Sequence, residues 1–314
     1  MKLCLKILSV LGLILISPHL YSQAGTSKAP VWLLYEMGKA ELERVGNPEP
    51  GRALALFRQA IDQTGGKFPE AEEAIGDIYV IESEYVLAVE QYKKAYDMRY
   101  SFTIPGEKYL VLQKLAQLYK RLEAYSSMEE EFKLVLADQP YYSEANYEKY
   151  RNAFRDLYRE KGLEQLLKLY RLEKIDFALK SHADLGWYYY RTGRSYHSIL
   201  NTLFALDIMV TEAMIELRLH DPEYEFTTLA SFVNACLKRA NIRDYLMQNE
   251  FFKVLYYLAA ADYSDRSILD RNNQEIWAFL SSTVEAGRYG DLSRKQLESP
   301  WVEPLINPSM RKLP

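Results

Sequence analysis

Apolar residues recur at intervals of three and four along most of the chain, the spacing that gives a helix one buried face. This pattern predicts five pairs of helices and, after Asp221, three further helical segments. The pairs are predicted at Val31–Ile61, Pro69–Arg99, Glu107–Asp138, Ser143–Lys174 and Ser181–Leu219, and the later segments at Phe226–Ala240, Arg243–Ala260 and Arg266–Glu285. The sequence therefore predicts an all-α protein.

Small and aromatic residues recur at fixed offsets within these pairs. The stretch AIGDIYVIESEYVLAVEQYKKAY, from Ala74 to Tyr96, shows the pattern best, and related copies precede and follow it. Thr202 stands where the other copies carry an aromatic ring. The matching positions are Gly76, Tyr79, Ala88, Tyr92 and Ala95; then Leu115, Ala116, Tyr119, Tyr125, Met128, Phe132, Val135 and Pro140; then Leu185, Gly186, Tyr189, Ser198 and Ala205; and, ahead of them all, Gly38, Ala53, Phe57 and Ala60.

This arrangement resembles the tetratricopeptide repeat (TPR) family, of the type found in exported bacterial envelope proteins, whose unit of about 34 residues forms two antiparallel helices. The resemblance implies a right-handed superhelical solenoid of TPR-like helix pairs. Within each pair a small residue on one helix should receive a ring from the other, so that Gly76 and Ala88 make room for Tyr79 and Tyr92. One unit cannot bury its apolar face alone, so stability should come from stacked neighbours.

The resemblance also suggests domain limits. Five units are expected within residues 25–220, and the fourth is inferred from the long interval between Ala116 and Gly186. A degenerate helical C-terminal cap is expected at residues 221–296, with a small separate helical domain as the alternative. The five units are placed at residues 31–61, 69–102, 107–142, 143–176 and 181–219.

Residues 297–314 are expected to form a proline-rich extended tail, because four prolines exclude a regular helix. Trp301, Leu305 and Ile306 supply apolar side chains between these prolines. Two alternatives are open, namely a segment that folds back along the protein's own surface as an intramolecular ligand, and a mobile tail.

The first residues have the features of a cleavable secretory signal peptide. Lys2 and Lys6 precede an apolar run from Ile7 to Ile16, and Ser22 and Ala24 predict cleavage after residue 24. An uncleaved anchor fits less well, because the apolar run spans only about half of a bilayer core. No later segment is expected to be long and apolar enough to cross a membrane. An exported protein is predicted, periplasmic or envelope-associated, with secretion as a further possibility.

Charge and composition narrow the range of partners. The net charge is −4 and no basic block occurs, so nucleic-acid binding has no electrostatic basis. The 26 tyrosines, 14 glycines and 48% hydrophobic residues suit helical packing better than a turn-rich β architecture. Cys236 shares a helical face with Leu229, Phe232 and Val233, so we expect a buried apolar role for it.

Signs of catalytic chemistry are weak. Glu82 lies in an E-S-x-aromatic tetrapeptide that resembles the catalytic motif of lytic transglycosylases, but the glycine-rich sequence that follows it in that family is missing. We expect Glu82 to be a solvated acid in a turn. His182, His197 and His220 lie apart with no metal-ligand spacing, and phosphate-binding, dinucleotide and nucleophile motifs are missing from the sequence. The expectation is a protein that is not an enzyme and uses neither metal nor cofactor.

The resemblance implies that the first helices of successive units line a concave groove, which receives an extended peptide or a partner helix. The groove should run from an acidic end to a basic and aromatic end. Its inward positions would be Glu70, Glu73, Asp77 and Val80, then Leu110, Gln113, Gln117, Lys120 and Arg121, then Lys180, Ala183, Trp187, Tyr190 and Arg191.

Some groove residues depart from the carboxylate-clamp subfamily of TPR proteins, which carries lysines and asparagines where this chain has Glu73, Asp77, Gln113 and Gln117. Trp187, Tyr190 and Arg191 are the strongest candidate anchors for a partner, because aromatic and arginine side chains dominate interface energies. The alternative for Trp187 is packing against the neighbouring unit.

Two classes of function stay open. The resemblance implies a non-enzymatic exported scaffold or adaptor, a periplasmic assembly factor that binds protein partners of the cell envelope through its groove. The competing class is a helical protein that binds or acts on envelope glycan or a small solute. We expect no nucleic-acid partner and no integral membrane insertion after signal cleavage.

Overall fold

The computed structural model describes residues 29–46, 48–138, 144–172, 177–266 and 270–308. The predicted signal peptide, Pro140 and the last six residues of the tail lie outside these ranges. Within them the chain forms fifteen α-helices and no strand. The prediction of an all-α protein is confirmed.

The chain divides after Gly66 into two compact units. The first unit contains α1 (Val31–Leu42) and α2 (Pro50–Gln63), which pack on each other. A β-carbon added to Gly38 of α1 would lie 2.5 Å from Cε1 of Phe57 of α2. The two helices therefore approach closely only because Gly38 has no side chain where the ring lies.

The second unit contains the remaining thirteen helices of the described chain. They are α3 (Pro69–Ile81), α4 (Tyr85–Asp97), α5 (Glu107–Arg121), α6 (Tyr125–Ala137), α7 (Glu144–Lys161), α8 (Leu163–Leu169), α9 (Ala178–Arg191), α10 (Ser195–Arg218), α11 (Leu229–Leu237), α12 (Ala240–Gln248), α13 (Phe251–Arg266), α14 (Arg271–Ser282) and α15 (Arg288–Glu298), and a 3-10 turn lies at Val284–Ala286.

Three helical hairpins of this unit, α3–α4, α5–α6 and α9–α10, repeat one internal geometry. A β-carbon on Gly76 would lie 2.5 Å from Cε1 of Tyr92, and one on Gly186 would lie 2.6 Å from Cγ2 of Thr202. The two contacts join residues separated by the same interval in sequence. Thr202 thus occupies the place of the ring in the third hairpin.

The turns of these three hairpins also match. Ser83, Glu123 and Gly193 have φ values of 63°, 58° and 74°. The residue that follows each one donates its backbone N–H to a carbonyl five positions earlier, a bond that closes a helix C-terminus in the manner of a Schellman motif. These bonds are Glu84 to Tyr79, Ala124 to Tyr119 and Arg194 to Tyr189, each 2.8 Å long.

Glu82 lies in the first of these turns, directly after α3, and its side chain is exposed. This is the solvated position expected of it.

The predicted fourth helix pair differs from the structure. Its residues form a long α7 and a short α8, and the chain continues beyond α8 with extended backbone at Tyr170. Helix α6 packs against α9, whereas α7 and α8 pack against α10. Phe154 of α7 explains this placement, since its ring lies 4.8 Å from that of Phe204 of α10, centroid to centroid.

Helix α10 is the central helix of the second unit and contacts α9, α13 and α7. At 24 residues it is long and apolar enough to cross a membrane, which corrects the expectation that no such segment follows the predicted signal peptide. However, 89% of its most apolar stretch is buried inside the protein. Its apolar residues are therefore covered by neighbouring helices, as in the core helix of a globular protein.

The described residues after Asp221 form five α-helices, α11 to α15, where the sequence predicted three helical segments. The predicted segment Arg243–Ala260 is interrupted at Glu250, whose φ of 56° ends one helix before α13 begins. Helix α14 starts with a capping box between Asp270 and Asn273. Helix α15 has no counterpart in the sequence prediction. Cys236 is fully buried, as its helical face predicts, and burial raises the pKa of its thiol to about 12.

Candidate functional site

A cavity of about 500 Å³ opens on the first helices of the three hairpins, and we call it the groove cavity. It brings together seven of the fourteen inward positions that the sequence predicts for the groove. Its lining residues are Asp77, Val80, Tyr92, Leu110, Gln113, Lys114, Gln117, Leu118, Arg121 and Lys180.

Equivalent positions of α3 and α5 line this cavity. Asp77, Gln117 and Trp187 each follow the small residue that admits the partner helix, and the first two line the cavity. Because successive hairpins repeat the same geometry, the same helical face is presented each time. The repeat therefore positions the site.

Lys114 organises the acidic side of the groove cavity. Its Nζ lies 2.8 Å from Oε1 of Glu73 and 2.6 Å from Oδ2 of Asp77. The hydroxyl of Tyr92 donates to Oδ1 of Asp77 over 2.6 Å. Tyr92, which fills the space left by Gly76, therefore also fixes the orientation of a groove carboxylate.

Burial and charge set the protonation of this cluster. Burial raises the pKa of Glu73, although Lys114 opposes the effect. Burial acts against the charged form of Lys114, but the carboxylates of Asp77 and Glu73 outweigh it and raise the pKa of the ammonium. The lysine therefore stays charged and holds both acids.

Asp184 of α9 organises the opposite side. Its carboxylate is 1% exposed and receives Lys120 Nζ and Gln117 Nε2, each at 2.5 Å. Lys180 Nζ lies 3.3 Å from its second oxygen. Burial alone would raise the pKa of Asp184, but Lys120 and Lys180 outweigh burial and lower it. A buried anion thus ties α5 to α9.

These two clusters reduce the expected charge gradient without removing it. Lys114 pairs with both Glu73 and Asp77, and Asp184 pairs with both Lys120 and Lys180, so one carboxylate is in excess on the first side and one ammonium on the second. An unpaired Asp184 would be costly, since it is 1% exposed, and the two lysines supply its counter-charge.

Two further predicted groove residues are held by the protein itself. Gln113 donates to the carbonyl of Phe177 over 2.7 Å, which fixes the start of α9. The guanidinium of Arg121 lies 4.5 Å from the ring centroid of Tyr85.

Trp187 packs against a neighbouring hairpin, as the alternative to a role as partner anchor predicts. Its half-buried ring lies 5.9 Å from that of Tyr125 of α6, and Lys120 Nζ lies 4.9 Å from its centroid. The indole therefore contributes to the contact between hairpins.

Tyr190 and Arg191 do not line an open groove. Tyr190 is 1% exposed, its ring packs on Tyr257, and its hydroxyl accepts a hydrogen bond from the backbone N–H of Glu303. Arg191 pairs with the carboxylate of Glu303 over 3.4 Å. The C-terminal tail covers both residues, so neither side chain is open to a partner while the tail is in place.

Sequence reasoning missed Lys114, Tyr92 and Asp184 as site residues. Asp184 follows Lys180 by four positions on one helix, and this spacing is a local signal for a pair. Nothing local points to its contact with Lys120, 64 residues away. No group of three or more His, Cys, Asp or Glu side chains able to hold a metal occurs in the described part of the chain.

Comparison with known proteins gives one relative and no family. No protein-family model matches the chain. The chain is similar to an uncharacterized protein of Treponema pallidum (strain Nichols), with 27% identity over 165 residues. The match covers 52% of this chain and 44% of that protein, so it spans less than half the length of the relative.

Proposed function

We propose that the protein is a non-enzymatic adaptor of the TPR type, which holds a segment of a partner protein in the groove cavity. The three matching hairpins support this proposal, because repeated helix pairs are the unit from which TPR solenoids are built. A right-handed superhelical stacking of these hairpins is part of the proposal.

One observation carries the proposal. The groove cavity is lined by the first helices of three equivalent hairpins, and its walls combine apolar Val80, Leu110 and Leu118 with polar groups held in place by the Lys114 and Asp184 clusters. Apolar walls with a few fixed polar groups suit the side chains of a bound peptide.

The proposed setting is the cell envelope. It rests on the signal-peptide pattern of residues 1–24, which predicts export, and on a negative net charge that gives no attraction to nucleic acid. Within this proposal the partner is an envelope protein, and the adaptor serves as a periplasmic assembly factor.

Site-directed cross-linking tests the adaptor function. A photo-reactive residue replacing Leu110 in the cavity should cross-link a discrete protein from an envelope fraction, and one replacing the exposed Glu90 of α4 should not. In a chain carrying the probe at Gln113, Leu110→Lys should abolish the product, because it places a charge among apolar walls. The matched control is Leu87→Lys on α4, where the side chain is already 41% exposed. Equal labelling from both probe positions would contradict the groove assignment.

The cavity volume favours one second candidate function, the binding of a small solute or of an envelope glycan fragment. About 500 Å³ lies within the range of small-molecule sites. A large thermal shift with muramyl glycan or a small solute, lost in Leu110→Lys and kept in Leu87→Lys, would support this function instead.

A further inference from the structure

The C-terminal tail, residues 299–308, returns to α9 as an extended chain. Prolines at 300, 304 and 308 favour this conformation and remove three backbone donors. The remaining backbone groups of the tail must then find partners elsewhere in the protein.

The buried side chain of Gln296 holds the start of the tail. Its Nε2 donates to the carbonyl of Trp301 over 3.1 Å, and its Oε1 accepts from the backbone N–H of Trp301 over 2.9 Å. The amide thus pairs with one residue of extended backbone in both directions, as a neighbouring strand would.

Arg191 holds the centre of the tail with three groups. Its Nε donates to the carbonyl of Pro304 over 3.2 Å, and its Nη1 lies 3.4 Å from Oε2 of Glu303. Its backbone carbonyl accepts from the N–H of Ile306 over 2.8 Å. Arg191 is the last residue of α9, and the last carbonyls of a helix lack partners within it. The tail therefore completes the end of α9.

Most of these contacts are made to backbone atoms of the tail and few to its side chains. Main-chain atoms of Trp301, Glu303, Pro304 and Ile306 make the hydrogen bonds, and the carboxylate of Glu303 adds one ion pair. The side chain of Leu305 is 63% exposed, whereas that of Ile306 is partly buried and packs against the core. An extended segment of another chain could supply the same groups if it placed an acidic residue before a proline.

We propose that the surface formed by Gln296, Tyr190 and Arg191, which we call the tail site, is a second peptide-binding site, where a partner's extended acid–proline–apolar segment replaces the chain's own tail. The identity of the ligand as a partner protein rests on the adaptor function proposed above. The binding of such a segment to the tail site does not depend on the groove cavity.

The test uses the chain's own tail as the probe. A fluorescent peptide with the sequence of Ser299–Pro308 is titrated into the full chain and into the variant Glu303→Lys/Ile306→Pro, and binding is followed by anisotropy. The variant lacks the ion pair between Arg191 and Glu303, and it lacks the N–H of residue 306 that donates to the backbone carbonyl of Arg191. Its own tail should therefore leave the site. In the wild-type chain the tethered tail competes at an effective concentration on the order of millimolar.

The variant should bind the peptide at least about tenfold more tightly than the wild-type chain does, as expected when a tethered competitor is removed. Adding Arg191→Ala to the variant should abolish this binding. Adding Arg243→Ala, which changes an exposed arginine of α12 that pairs with Asp244, should leave it unchanged. A peptide with lysine in place of Glu303 should not bind the variant, but it should bind the variant that also carries Arg191→Glu. This exchange of charges distinguishes a loss of recognition from a loss of folding.

Failure of the peptide to bind the variant at concentrations up to about 1 mM, or equal binding to variant and wild type, would overturn the tail site. Tight binding of the peptide by the variant, together with no cross-linked partner from the probe at position 110 in a chain whose groove is otherwise unaltered, would uphold the tail site while rejecting the adaptor function of the groove.

Discussion

Gly76 of α3 lies beneath the ring of Tyr92 of α4, so close that a β-carbon would come within 2.5 Å of Cε1. The same ring carries the hydroxyl that binds Asp77 in the groove cavity. One contact thus sets both the distance between two helices and the position of a groove carboxylate.

Gly76→Ala should destabilise the second unit by about 1–3 kcal/mol, because the ring and both helices must shift to admit a methyl group. Gly106→Ala is the control, since a β-carbon there meets no atom within 4 Å. Chemical denaturation measures both. An unchanged midpoint for Gly76→Ala would contradict the packing.

Glu123→Gly should stabilise the protein by about 1 kcal/mol, since Glu123 adopts a φ of 58° that disfavours residues with a β-carbon. Gly193→Ala, at the matching turn, should destabilise it by a similar amount. Thermal unfolding of the two variants should show midpoints that move in opposite directions. Shifts in the same direction would mean that these turns do not share one backbone geometry.

Protonation of Glu129 should lower the free energy of unfolding in acid. The guanidinium of Arg194 donates two hydrogen bonds of 2.9 Å to the carboxylate of Glu129, and Lys133 Nζ lies 2.7 Å from the same carboxylate. Burial opposes ionisation, but these cations outweigh it and lower the pKa of Glu129 from 4.5 to about 2. The stabilisation, about 1–3 kcal/mol once solvent screening of the partly exposed cations is allowed for, is present above pH 4.5 and lost as the pH falls towards 2.

Urea unfolding from pH 6 down to pH 3 measures this effect. The gap in unfolding free energy between wild type and Glu129→Gln should narrow steadily with acid. A gap that stays constant over the range would show that the pairing does not shift the titration of Glu129.

Asp207 should have the opposite effect. Asp207 is fully buried in α10. The N–H of Leu172 donates a hydrogen bond of 2.8 Å to its carboxylate, but burial outweighs this bond and raises the pKa of Asp207 from 3.8 to about 7. A raised folded-state pKa gives stability that is complete below pH 3.8 and lost as the pH rises through 7.

Asp207→Asn should therefore stabilise the protein by up to about 4 kcal/mol above pH 7, and by progressively less towards pH 4. Unfolding free energies of the two chains at pH 4, 6 and 8 test this. A benefit that did not grow with pH would show that Asp207 is not the group that titrates.

Local spacing in the sequence determined the helices and the hairpin packing. Glycine at 76 and an aromatic ring at 92 suffice to predict a close contact, because both lie on faces set by the helical period. Seven of the predicted groove residues line the cavity for the same reason, since they occupy repeated positions of the first helices.

Only the tertiary structure decided how the groove is charged and which residues it leaves open. Lys114 reaches Asp77 across 37 residues, and Glu303 covers Tyr190 from 113 residues away. The helical period says which face a residue occupies, but not which distant charge must be buried beside it. The placement of α7 and α8 on α10 is likewise decided by buried rings that meet from separate parts of the chain. The helical period can be found from residues that are close together in the sequence. The pairing of buried charges depends on desolvation, which arises only when distant segments pack together.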